Sequence, residues 1–215
     1  MTKICKFILA IGLVLVLATG ASAFTAGVIP DDGSTNEFTS LFEVSQFGGY
    51  FGGNIYLWGG PADITIEYYG AEAGYTNRFY FDDVLLFTHN GGDTTSATAI
   101  DTETVYGVAS GLLNFKFGYN NDAGFVENGL NPDNEIFNEP NFFVTFDITN
   151  QTAGGPTSGQ TVWLFLDDGC TSDDNHDDML VRLTITNGAV GTPEPATMLL
   201  LGFGLLGLAG LRRKI

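Results

Sequence analysis

Alternation constrains this chain more than any other feature. Ile64-Thr65-Ile66-Glu67-Tyr68, Leu113-Asn114-Phe115-Lys116-Phe117 and the run from Phe142 to Ile148 place apolar side chains at every second position. Successive strand residues point to opposite faces, so a period of two describes half-buried strands and does not fit a helix. In the third run Thr145 and Asp147 are expected to face away from Phe142, Val144, Phe146 and Ile148. Runs at 54–58, 63–69, 76–81, 84–88, 103–109, 112–119, 142–149, 161–167 and 179–186 read as strands. Gly-Gly, Asn-Gly and Asp-Gly clusters between them supply the positive φ angles of turns. No stretch of the body sustains a helical period, and Asn120 to Pro140 is expected to be a surface loop. About eight or nine short strands predict an all-β domain over 24–190, built as a two-sheet antiparallel sandwich of the jelly-roll kind.

The two ends are built differently. Met1 to Lys6 is short and cationic, Phe7 to Leu17 is apolar, and Ala21-Ser22-Ala23 offers small residues to a signal peptidase. Residues 1–23 therefore read as a signal peptide, with Ala21 and Ala23 at the cleavage site. Cys5 falls inside that piece, which leaves Cys170 as the only cysteine of the mature chain and permits no internal disulfide. At the other end, Ala196 to Leu211 carries no charge and is followed by Arg212, Arg213 and Lys214. At ~1.5 Å per residue this run makes a transmembrane helix of about 24 Å, short for a hydrocarbon core of about 30 Å but anchored by cations that snorkel. Cations that trail a span stay cytoplasmic, so the body lies on the far side of the inner membrane, exported to the periplasm. Pro193 and Pro195 hold Glu194 in an extended linker.

Pro193-Glu194-Pro195, the glycine-broken apolar helix and the terminal basic cluster resemble the PEP-CTERM sorting signal of Gram-negative bacteria that make exopolysaccharide. The resemblance covers 191–215. It implies processing by exosortase, a membrane-embedded cysteine transpeptidase, after a transient inner-membrane stage, and delivery to the outer surface or extracellular matrix.

Charge narrows the partners. All but one of the 25 acidic residues lie between Phe24 and Thr192, opposed there only by Arg78, Lys116 and Arg182. Such a body repels nucleic acid and anionic headgroups, so cations or neutral molecules such as exopolysaccharide are the expected ligands.

The acids concentrate in one turn, Asp167-Asp168-Gly169-Cys170-Thr171-Ser172-Asp173-Asp174-Asn175-His176-Asp177-Asp178. Like charges at this density are costly to hold together unless a cation or backbone donors compensate. Asp173, Asn175 and Asp177 reproduce half of a calcium loop, with Asp168 and Asp178 beside them. Asp178 stands where an EF-hand needs glycine and Thr184 where it needs glutamate, which excludes that motif. Two readings stand: a calcium turn between strands, or aspartates that cap turn amides and keep a sheet edge solvated. The turn is also similar to that of the calcium-associated β-domain class called domain of unknown function 4114.

Other chemistry is poorly supplied. Neighbouring aspartates raise the Cys170 thiol pKa, against use of Cys170 and His176 as nucleophile and base. Glu67, Glu72 and Asp82 pair no more than composition demands. The chain is therefore expected not to be an enzyme, and no cofactor other than calcium is implied. Tyr56, Trp58 and Tyr68 lie in adjacent strands, where exposed rings would stack on sugars. A structural or adhesive role leads, a carbohydrate-binding module is the alternative, and a secreted hydrolase stands last.

Overall fold

The computed structural model describes residues 24–136, 139–169 and 174–192, which fall in one compact unit, Phe24–Pro193. The segment read as signal peptide (1–23), and all but the first two residues of the segment read as sorting signal (191–215), lie outside the described residues. Among the described residues no helix is long and apolar enough to cross a membrane.

The fold is mostly β, in several antiparallel sheets. The largest has seven strands, in the order β1 (Thr25–Ile29), β2 (Phe47–Phe51), β11 (Asn141–Thr145), β13 (Thr161–Asp167), β14 (Met179–Thr186), β4 (Ala62–Tyr68) and β7 (Asp101–Val108). A second has four, β10 (Gly124–Glu127), β9 (Phe115–Tyr119), β5 (Glu72–Phe81) and β6 (Val84–Asp93). A third joins β12 (Ser158–Gly159), β15 (Ala189–Gly191), β3 (Tyr56–Trp58) and β8 (Gly111–Leu112). The single helix among the described residues is α1 (Glu37–Leu41).

Alternation sorts the large sheet into two cores. Phe142 and Val144, Val162, Leu164 and Leu166, and Met179, Val181, Leu183 and Ile185 share one cluster with Phe79, Phe81, Phe87, Phe115 and Phe117 of the second sheet. Their odd-numbered or even-numbered neighbours Phe143, Trp163, Phe165 and Leu180 form the other cluster with Ile29, Phe38, Phe47 and Phe51. Both faces of β11 and β13, and of β14 from Met179 to Val181, are thus buried, and each phenylalanine taken fully out of water contributes about 1.5–3 kcal/mol. Burial on both faces also erases the polar half of the alternation. This is why Phe47-Gly48-Gly49-Tyr50-Phe51 carries no strand signal in sequence although it forms β2. Its glycines are needed for clearance: a Cβ at Gly48 would collide with the Thr152 carbonyl, and one at Gly49 with that of Val144.

Several expectations need correction. The stretch Asn120 to Pro140 is not all loop, since Gly124–Glu127 pairs with β9. The run 112–119 is two strands, broken at Leu113-Asn114. The run 142–149 ends as a strand at Thr145, where Asp147 N donates to Thr145 Oγ1 (3.2 Å) and Asp147 Oδ1 accepts from Thr149 N (2.9 Å). That turn rotates the chain, so Phe146 packs on the first cluster and Ile148 on the second. Thr145 is buried rather than solvated.

Candidate cation site beside the Asp-rich turn

β13 and β14 pair in register Leu166↔Met179, and the turn between them closes on itself. Asp168 N donates to Asp178 Oδ2 (2.8 Å), and Asp178 N to the Leu166 carbonyl (3.1 Å). Asn77, buried on β5, donates from Nδ2 to Asp168 Oδ2 (2.8 Å) and to the Asp178 carbonyl (3.2 Å). The described residues of the turn do not point into solvent. Asp167, Asp168, Asp174, Asn175, His176 and Asp177 are all buried, His176 completely.

The cover comes from residues 31–37, laid across the turn by paired hydrogen bonds. Asn36 Nδ2 donates to the Asn175 carbonyl (2.7 Å), and Asn175 Nδ2 to that of Thr35 (2.8 Å). Asp177 Oδ2 accepts from Glu37 N (2.8 Å), one of the amides that the first turn of α1 leaves without an intrahelical partner. Asn36 caps the same helix end through Phe38 N (3.0 Å). Asp32 Oδ2 accepts from Asp174 N (2.8 Å).

Of the expected calcium donors, Asp173 lies outside the described residues. Asn175 and Asp177 turn to Thr35 and Glu37, and Asp168 and Asp178 to Asn77 and to each other's segment. Among the described residues, a different set brings its donor atoms within 4.8 Å: Asp31, Asp174 and His176. Asn134 Nδ2 spans two of them, donating to Asp31 Oδ2 (2.9 Å) and Asp174 Oδ2 (3.2 Å). Asn134 arrives by way of Asn131, whose side chain pairs with both the N–H (2.9 Å) and the carbonyl (2.8 Å) of Phe142.

His176 sits at φ 59, a left-handed conformation that few residues other than glycine adopt. Its ring lies near Phe51 (centroids 5.4 Å apart) and Phe143 (6.2 Å). Nε2 is 2.9 Å from Asn141 Oδ1. Asn141 Nδ2 donates to Asn134 Oδ1 (2.8 Å) and the Glu139 carbonyl (3.0 Å), so Oδ1 is the acceptor and Nε2 carries the proton. Nδ1 is then a lone pair, 3.4 Å from Asp174 Oδ1. Neither atom has a hydrogen-bond partner.

The electrostatics agree with two acceptors forced together. Burial lowers the His176 pKa to about 4, with Asp174 opposing, so the ring is neutral near pH 7. Burial, then Asp174, pushes Asp31 up to about 6. Asp167 rises to about 8, mainly through burial, with Asp174 and Asp168 adding and the Gly169 amide opposing.

This cluster is not legible in the sequence because Asp31 stands more than 140 residues before Asp174 and His176. Only His176 stood out, as a partner for Cys170, which lies outside the described residues. The aromatic set divides. Tyr68 is a core residue stacked on Phe87 (5.7 Å). Tyr56 and Trp58 face outward on β3, with Leu57 between them fully buried. The Trp58 ring lies over Gly191, where a Cβ would collide with it. Glu67 is held by Arg182 through two bonds of 2.7 and 2.6 Å. The residues expected to act in sorting, Pro193, Glu194, Pro195, Arg212, Arg213 and Lys214, and the cleavage residues Ala21 and Ala23, lie outside the described residues.

Residues 192–214 match the PEP-CTERM protein-sorting motif. No curated protein and no solved structure matches the chain. The motif supports an exported protein sorted by exosortase, with a transient membrane anchor.

Proposed function

We propose that the chain is a structural or adhesive component of the cell envelope or exopolysaccharide matrix, its body delivered past the inner membrane and freed from its tail by exosortase. The sorting motif at 192–214 carries this reading. The body contributes a stiff scaffold: a seven-stranded sheet whose strands β2, β11 and β13 are buried on both faces, which we read as a jelly-roll-like two-layer sandwich with an extra N-terminal cover. In that reading the chain performs no catalysis, and the buried aspartates serve the fold as acceptors, Asp177 for Glu37 N of the covering segment, Asp168 for Asn77 and Asp178 for Asp168 N. Fractionation of a tagged chain with and without exosortase tests it. The expected result is a shorter surface or matrix form that accumulates as a longer membrane form when the enzyme is deleted. A mature protein that still ends in Lys214-Ile215 in exosortase-competent cells would overturn it.

Tyr56 and Trp58 favour a second reading, a carbohydrate-binding module. Two rings on one outward strand face lie about 6–7 Å apart along the strand, a spacing suited to successive sugar contacts. Pull-down on the host exopolysaccharide should weaken in Trp58→Ala; equal retention of both forms removes this reading.

A further inference from the structure

Asp31, Asp174 and His176 come from two segments, the first following β1 and the other two flanking Asn175 in the covered turn. We propose that they form a site for one divalent first-row transition ion, bound by His176 Nδ1 and by carboxylate oxygens of Asp31 and Asp174. This is independent of the sorting reading.

Three observations beyond the gathering of acids carry it. First, a completely buried imidazole presents a bare lone pair to a buried carboxylate oxygen at 3.4 Å, and neither has a hydrogen-bond partner. Two acceptors in that position repel each other, and an ion between them converts the repulsion into two bonds. Second, the support is of the kind metal ligands receive: Nε2–H is held by Asn141 Oδ1, which fixes the tautomer and aims Nδ1. Asn134 does the same for the carboxylates, engaging Oδ2 of each from one nitrogen. Third, the two supports are joined: Asn141 Nδ2 donates to Asn134 Oδ1 at 2.8 Å, so one hydrogen-bonded pair of amides holds both the ring and the carboxylates. Asp31 is exposed while its two partners are buried, which gives the ion a route in from solvent.

The donor chemistry selects the ion. Imidazole suits zinc, copper, iron or nickel, whereas calcium takes about 6–8 oxygen ligands and has no use for a nitrogen. This site is therefore distinct from a calcium turn built on Asp173, Asn175 and Asp177.

The test uses the full-length chain, purified in detergent and stripped with a chelator, dialysed against zinc or cobalt. One equivalent per chain is expected, with cobalt visible absorption of a mixed nitrogen–oxygen site and with retention in excess calcium. Asp31→Asn should raise the zinc dissociation constant about tenfold or more while the metal-free chain keeps its cooperative melting transition. His176→Gln should abolish stoichiometric uptake; should that variant fail to fold, Asp31→Asn carries the test. Absence of stoichiometric uptake, uptake indifferent to Asp31→Asn, or displacement by an equal concentration of calcium overturns the proposal.

Discussion

Two acidic turns of this molecule use the same residue in opposite ways. At the tip of the β5–β6 hairpin, Asp82 and Asp83 occupy the two positions between Phe81 and Val84, with φ of 48 and 59. They stand in solvent, where Asp83 meets Lys116 Nζ at 2.6 Å and Asp82 Oδ1 accepts from Asn114 Nδ2 at 3.1 Å. In the β13–β14 turn the described aspartates are buried, Asp174 and Asp177 beneath residues 31–37, and tied to named donors. Nothing about aspartate itself distinguishes the two. The difference is a covering segment, and its consequence is that one turn needs its carboxylates only to be tolerated while the other needs them to be satisfied.

The comparison breaks most readily at Asn77. Its amide serves Asp168 and the Asp178 carbonyl in the buried turn, so Asn77→Ala should cost about 2–3 kcal/mol in urea unfolding, as expected for removing donors to a buried charged group. A loss as small as that of a surface substitution would mean that the buried aspartates are as indifferent to their partners as those at the tip.

A pH series sharpens it next. Asp167, raised to about 8, and Asp178, raised well above its usual range chiefly by burial, keep a proton in the folded chain that the unfolded chain gives up above about 4. Their contribution is present at low pH and is lost as pH rises toward 8. His176 acts the other way: its folded pKa of about 4 lies below the unfolded 6.5, so it destabilises the fold only as pH falls through that interval. Between pH 6.5 and 8 the histidine is neutral in the folded chain and sheds its remaining protons only from the unfolded one, a smaller and opposite contribution, so the carboxylates decide. In chelator the melting temperature should fall across that window, with a slope of up to about 1.4 kcal/mol per pH unit for each proton, and Asp167→Asn should flatten it. A melting temperature that rises over the same window would contradict the assigned burial.

Asp177→Ala probes the cover itself. Its carboxylate accepts from Glu37 N at the start of α1, so its loss should cost about 1 kcal/mol, as for other caps, and should speed amide exchange at Glu37.

How far the sequence revealed these features depends on burial. Strands with one wet face, such as Ile64 to Tyr68, announce themselves through alternation, and β4 covers that run. β2 does not, because all five of its residues are buried and no polar half marks the alternation; β1 does not, because Thr-Ala-Gly-Val-Ile has no alternation to show; and α1 is too short to show a period. The aspartate cluster was visible as a cluster, but its parity was not. Sequence spacing singled out Asn175 and Asp177, whereas the residues gathered with Asp31 are Asp174 and His176. That choice depends on a segment arriving from more than 140 positions away, and local spacing carries no record of it.

The smallest effect is expected at the exposed tip. Positive φ at both central positions is the geometry of a two-residue hairpin turn that Asn-Gly fits best. Replacing Asp82 and Asp83 by Asn and Gly removes two exposed acids and the Lys116 pair. An exposed pair contributes roughly 0–1 kcal/mol, and relief of left-handed strain at position 83 offsets it. The net should be within about 0.5 kcal/mol in urea unfolding, leaning toward greater stability. Destabilisation as large as that of Asn77→Ala would show that the tip acids are held as tightly as the covered ones, and the contrast between the two turns would no longer rest on cover.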